Sequence, residues 1–96
     1  MLDKSQACEI HMLMKKTSQN DNRNIVGDRI RQARLRSKVP ISQEDLAGRL
    51  AARGITLDQT AISRIENQTR YLMDYEIAAI AKALKVTVAW LFSEKD

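Results

Sequence analysis

The sequence predicts an all-α fold, a compact set of five helices, and three observations support this. Apolar residues make up 44% of the 96-residue chain but aromatic residues only 4%, so the core must be built from aliphatic side chains. From Ile25 onward these apolar residues recur at helical spacing. Residues typical of helix N-caps precede several of the recurrences. A chain of this length forms one core, which predicts a single domain.

The first helix begins near Ile25. Val26, Ile30 and Ala33 fall on one face, and the pattern reaches about Ser37 before Pro40 stops it.

Side-chain caps mark the later helices. Ser42 caps the second, with Asp45 completing a capping box, and Gly54 ends it in a left-handed conformation. Asp58 caps a third helix that runs to about residue 67. The fourth starts at Asp74, and Thr87 caps the fifth. The residues that the fourth helix is expected to bury are Ile77, Ile80, Ala81 and Leu84.

Charge and composition narrow the functional classes. Residues 27–70 carry nine basic and five acidic side chains, and this segment accounts for the net charge of +4. Such a local excess is typical of a nucleic-acid partner, but it also fits an ordinary solvated surface. With one cysteine, Cys8, and one histidine, His11, the chain offers no disulfide framework or zinc set. We therefore expect no cofactor or metal, and with no GxxxxGK[ST] phosphate loop we expect no enzyme.

We interpret residues 1–24 as an N-terminal extension of a domain that comprises residues 25–96. They include the polar run "MKKTSQNDNRN" and lack the apolar run of a signal peptide, so we expect a cytoplasmic protein without a membrane partner. The extension is either flexible or a short helix that serves as a dimer arm. Met14 is an alternative start of the chain.

The third helix, "DQTAISRIENQ", has an unusual outer face. Ala61, Ile62 and Ile65 form its apolar face. The opposite face carries weak helix formers and other hydrogen-bonding groups without a carboxylate. These residues are Gln59, Thr60, Ser63, Arg64 and Asn67. Amide, hydroxyl and guanidinium groups of this kind suit the edges of DNA bases.

A wider pattern then becomes clear: "GDRIRQARLR…ISQEDLAGRL…TAISRIENQ…DYEIAAIAKALKVTVAWLF". It resembles the Cro and phage-repressor-type (XRE-like) helix-turn-helix family over residues 25–93. The resemblance implies a repressor-like domain whose second and third helices form the helix-turn-helix. It also implies a bacterial or phage transcription regulator, expected to repress, that binds double-stranded DNA as a homodimer.

The resemblance also implies roles for individual residues. The residues expected to contact the edges of DNA bases are Gln59, Thr60, Ser63 and Arg64. The residues expected to contact DNA phosphates are Gln43, Asn67, Thr69 and Arg70. A structural ion pair is expected between Arg34 and Glu66.

At the C-terminal end, most of the surface of Trp90, Leu91 and Phe92 should lie in the core. The part of these side chains that stays exposed could form a two-fold contact between subunits.

The chain departs from the family pattern at three places. Gln68 and Lys85 stand where glycine is usual, and a left-handed conformation there costs roughly 1 kcal/mol, so these turns are expected to be strained or reshaped. An added "AARGI" between the second and third helices is expected to lengthen the second.

One alternative function is that of an antitoxin-like protein-interaction module. Such a module would bind a partner protein through residues 1–24 and would also regulate its own expression.

Overall fold

The computed structural model describes residues 22–93, so the expected tail falls largely outside the described residues, as does any partner contact through it. Residues 22–93 form five α-helices and no strand, as the sequence predicted. The helices are α1 (Gly27–Arg36), α2 (Gln43–Ala51), α3 (Gln59–Glu66), α4 (Asp74–Leu84) and α5 (Val88–Phe92). Within this part of the chain, no helix is both long and apolar enough to cross a bilayer.

The predicted N-caps of α2, α3 and α5 are confirmed. The Ser42 side chain accepts the N–H of Asp45 at 2.9 Å, and Asp45 accepts the N–H of Ser42 at 3.3 Å, which completes the capping box. Asp58 and Thr87 each accept the backbone N–H three positions further on, at 2.8 and 2.9 Å. These bonds satisfy N–H groups that the first turn of a helix leaves without a partner.

The C-terminal turns of α2, α3 and α4 share one geometry. Gly54, Gln68 and Lys85 have φ of 85°, 65° and 60°, in the left-handed region. The N–H after each one bonds the carbonyl five residues earlier, at 2.9, 2.9 and 3.0 Å, as in a Schellman turn. The turns at Gln68 and Lys85 are therefore strained and keep the shape that glycine would give them.

The inserted "AARGI" does not lengthen α2 as expected. The helix ends at Ala51, the first residue of the insertion, and residues 52–54 form a turn. The reason is Gly54, whose left-handed conformation closes the helix within the insertion and directs residues 55–58 back toward α3.

The core is aliphatic, as the composition predicted. Its largest fully buried side chains are Val26, Ile30, Leu46, Leu50, Ile62, Ile65, Ile80 and Leu91. They come from all five helices and the residue before α1, so the helices share one core. Two expectations need correction. Ile77 is only half-buried, and of the aromatic C-terminal stretch only Leu91 is core, because Trp90 is half-buried and Phe92 is 43% exposed.

Asn24, just before the expected boundary at residue 25, is bonded to the folded domain. The Asn24 side chain accepts the N–H groups of Val26 and Gly27 at 3.1 and 2.8 Å, as an N-cap does. Its amide donates to the carbonyls of Ile65 and Arg70 at 3.1 and 2.9 Å. Asn24 therefore ties the start of α1 to the end of α3.

Gly27 lets α1 approach α3 closely. A Cβ built on Gly27 would collide with the carbonyl oxygen of Ile65 and lie 3.0 Å from that of Glu66. Any side chain larger than hydrogen would therefore push the two helices apart, which makes this glycine a packing requirement.

Candidate nucleic-acid interface

The outer face of α3 is open to solvent. Gln59, Thr60, Arg64 and Asn67 are exposed and Ser63 is half-buried. The opposite face of the helix, including Ile62 and Ile65 at 1% exposure, packs into the core against α1 and α2. The helix is thus held from behind, and its hydrogen-bonding side chains face outward.

The exposed positions of α3 carry no carboxylate. The two acidic residues at the ends of α3 are otherwise engaged, because Asp58 caps the helix and Glu66 is buried in an ion pair. Arg64 gives the face a positive charge. A polyanion approaching α3 would therefore meet neutral donors and acceptors and one cation, without repulsion from the helix itself.

Two glutamines connect the N-terminal ends of α2 and α3. The side-chain amide of Gln59 donates to the side-chain oxygen Oε1 of Gln43 at 2.6 Å, and the side-chain amide of Gln43 donates to Glu66 at 3.0 Å. These two hydrogen bonds orient Gln59, because Gln43 is itself anchored to Glu66. Because an amide has two N–H hydrogens and an oxygen with two lone pairs, one hydrogen and the oxygen of Gln59 take no part in this bond.

The expected pairing of Arg34 with Glu66 is present. Arg34 donates from Nε and Nη2 to the two carboxylate oxygens, at 2.8 Å each, and from Nη1 to the carbonyl of Ile41 at 2.9 Å. The hydrogen bond that Arg34 donates to Glu66 raises the pKa of Arg34 above its already high ordinary value, against the opposing effect of burial. The pair fixes α3 to α1 and holds the glutamate that anchors Gln43.

Thr69 and Arg70 follow α3 in a loop, where both make bonds within the protein. Thr69 is exposed and donates its hydroxyl to the carbonyl of Arg64 at 3.2 Å. Arg70 donates from Nη1 to the carbonyl of Tyr71 at 2.9 Å and to the buried carboxylate of Glu76 at 3.3 Å. This atom is bound within the protein, so the geometry gives Arg70 a structural role in the loop.

Glu76 is a buried charge that the sequence interpretation missed. It is 6% exposed and accepts the N–H of Met73 at 2.9 Å, in addition to its contact with Arg70. A local signal was available, because Glu76 stands three residues after the N-cap position of α4, as the acidic member of a capping box does. Met73 in place of serine or threonine hides that pattern.

Two further basic residues lie near the end of α3. Arg31 is exposed on α1, one turn from Gly27 and one from Arg34, both of which contact the C-terminal end of α3. Arg23 lies over the ring of Tyr71 at 5.3 Å and donates its backbone N–H to Gln68 at 2.8 Å. The sequence interpretation did not single out either residue, although the helical spacing of Arg31 from Arg34 could have indicated the first.

Within residues 22–93, no cluster of three or more His, Cys, Asp or Glu side chains is placed to hold a metal ion. The geometry defines a small all-helical domain in which the outer face of α3 carries exposed hydrogen-bonding side chains. Comparison of the chain with protein-family models, with curated proteins and with solved structures found no match.

Proposed function

We propose that this protein is a sequence-specific, double-stranded DNA-binding transcriptional regulator of the Cro and phage-repressor type, acting as a repressor. In this proposal α2 and α3 form a helix-turn-helix, and α3 enters the major groove. The observation that carries the proposal is the solvent-exposed, carboxylate-free row of hydrogen-bonding side chains on α3.

The size and chemistry of α3 suit this role. An α-helix with its side chains is about 10–12 Å across, which fits the major groove at a width of about 12 Å. The amide of Gln59 can pair with adenine, the guanidinium of Arg64 with guanine, and Thr60 offers a hydroxyl and a methyl group to thymine. Each good bidentate pair contributes about 1–3 kcal/mol of discrimination, so two per subunit make a usable code.

The supporting contacts agree with a helix held in a fixed orientation. The Gln43–Gln59 bond brings the N-terminal ends of α2 and α3 together, and both ends carry partial positive charge that favours a phosphate. Gln43, Asn67, Thr69 and Arg70 are the proposed phosphate contacts, and Arg70 also supports the loop through its bond to Glu76.

A homodimer would extend the recognised sequence. Two copies of α3 about 34 Å apart would meet successive major grooves on one side of the duplex. On α5, Val88 and Phe92 are 42% and 43% exposed, and they are the candidate two-fold contact. A repressor of this kind would act in the cytoplasm of its cell by occupying an operator.

Selection of bound sequences from a random pool of duplex DNA tests the proposal. The wild-type protein should enrich one motif, with two-fold symmetry if it binds as a dimer. A Gln59→Ala/Arg64→Ala variant should fold normally and enrich no motif or a degenerate one. The matched control, Gln32→Ala/Lys82→Ala, removes an exposed amide and an exposed cation elsewhere and should enrich the wild-type motif. Failure of the wild-type protein to enrich any sequence would contradict the proposal.

A further inference from the structure

A groove of about 580 Å³ lies where the ends of α1 and α4 meet the start of α5. None of its lining residues belongs to α3, so it is separate from the proposed DNA-binding face. Its volume falls within the range of about 300–1,000 Å³ found for small-molecule sites. The apolar part of its wall is formed by Ala33, Ile41, Leu84, Val86 and the indole of Trp90.

Three cationic side chains also line the groove, namely Arg36, Arg49 and Lys85, and no Asp or Glu is among its described lining residues. The guanidinium of Arg36 lies 5.9 Å from the centre of the Trp90 ring. Arg49 is held in place by its bond to the carbonyl of Ala83 at 3.1 Å. The groove therefore places positive charge beside the Trp90 ring, over which the guanidinium of Arg29 also lies at 4.6 Å.

Lys85 occupies its position against the preference of the backbone. Its φ of 60° and ψ of 40° lie in the left-handed region, where a residue with a Cβ is strained and glycine is not. Gly54 ends α2 in the equivalent turn without this strain. Strained residues of this kind cluster at functional sites, and here the strained residue contributes a cation to the groove.

We propose that this groove binds a small aromatic carboxylate. The ring packs against Trp90 and the aliphatic wall, while the carboxylate pairs with Arg36 and Lys85. Guanidinium groups bind carboxylates through parallel hydrogen bonds, and aromatic faces stack on one another, so the two halves of the groove match the two halves of such a ligand. This inference does not depend on DNA binding.

The probe pair for the test is phenylpropionate and its neutral analogue phenylpropionamide. Trp90 is the one tryptophan in the chain, so its indole N–H gives a single nuclear magnetic resonance signal that reports on the groove. We expect phenylpropionate to shift this signal saturably at millimolar concentration or below. The amide should bind at least about 3-fold more weakly, because it lacks the charge that the cations recognise.

Variants then locate the site. Lys85→Gly removes one cation at a position where glycine is conformationally preferred, and Arg36→Gln removes another. Each should raise the dissociation constant about 3- to 10-fold. Lys82→Gln removes an exposed lysine of α4 outside the groove and should leave it unchanged.

Three results would overturn the proposal. The first is no saturable shift with phenylpropionate. The second is equal affinity for the acid and the amide, or the same shift with inorganic phosphate alone, which would show that the groove does not recognise an aromatic acid. The third is equal weakening by Lys82→Gln, which would show that surface charge in general is responsible.

Discussion

The Arg34–Glu66 ion pair joins α1 to α3 inside the fold, and removing one partner is expected to destabilise the protein strongly. The two side chains are 9% and 3% exposed. The Glu66 carboxylate receives two bonds from Arg34 at 2.8 Å and one from Gln43 at 3.0 Å. Glu66→Ala would leave a guanidinium charge buried beside an unfilled space, with its main partner gone.

The size of the effect follows from the burial. Removing one member of a buried ion pair costs about 3–5 kcal/mol, because the remaining charge stays desolvated. Folded domains are stable by about 5–15 kcal/mol in total, so this loss is a large share. One kcal/mol shifts the melting temperature of a domain of this size by about 4–8 °C. A fall of about 12 °C or more is therefore expected for Glu66→Ala.

Urea unfolding followed by far-ultraviolet circular dichroism measures the free energy of unfolding directly. Replacing both partners, as Arg34→Leu/Glu66→Leu, should cost less than the sum of the single changes because neither charge is left alone. Glu44→Ala removes an exposed carboxylate on α2 and serves as the control, with an expected change of about 1 kcal/mol or less. Single changes at Arg34 and Glu66 that each cost under about 1 kcal/mol and add up would refute the reasoning, because that is how exposed pairs behave.

The other predictions concern the effect of changes at glycine and left-handed positions on stability, and the effect of salt on DNA affinity. Gly27→Ala should destabilise the fold by about 1–3 kcal/mol, because the added Cβ collides with the Ile65 carbonyl. Gly48→Ala should stabilise the fold by about 0.5–1 kcal/mol, because its Cβ meets nothing within 4 Å. Equal effects of the two changes in urea unfolding would contradict this. Lys85→Gly should raise the free energy of unfolding by about 0.5–1 kcal/mol, because it relieves the left-handed strain. Gln68→Gly should gain less, because it also loses a side-chain hydrogen bond at 3.1 Å. A lower melting temperature for Lys85→Gly would contradict this prediction. DNA affinity should fall on the order of 100-fold between about 50 and 200 mM salt if Arg31 and Arg70 of both subunits in a dimer neutralise four phosphates, and a flat response in a binding titration would count against phosphate contacts.

The sequence predicted those parts of the fold that depend on neighbouring residues. The caps at Ser42, Asp58 and Thr87 bond N–H groups three positions away, so the residues needed to recognise them lie within one turn. The all-helical class followed in the same way from the periodicity of aliphatic residues. These features require no knowledge of how the helices pack.

Features that depend on packing were missed or misassigned. Asn24 bonds carbonyls 41 and 46 positions away, and nothing in its own neighbourhood indicates those partners. Gly27 matters because another helix approaches it, not because of its own turn. Arg70 was expected to bind a phosphate, and only the fold shows that one of its amino groups also bonds the buried Glu76. In each case the sequence contains the residue, and only the tertiary structure supplies the partner.

The candidate site was predictable to a similar degree. The spacing of Gln59, Thr60 and Arg64 on one helical face could be derived from the sequence, and the structure places all three in solvent. The Gln43–Gln59 bond that orients the first of them could not be derived, because it crosses between helices.

The most direct measurement maps where DNA touches the protein. Nuclear magnetic resonance spectra recorded as the selected duplex is added should show the largest changes at the backbone amides of residues 59–67 and at the side-chain amides of Gln43, Gln59 and Asn67. A scrambled duplex should cause smaller changes at the same protein and salt concentrations. Largest changes on α5 or in the groove beside Trp90, with the signals of α3 unmoved, would contradict the claim that α3 reads the DNA.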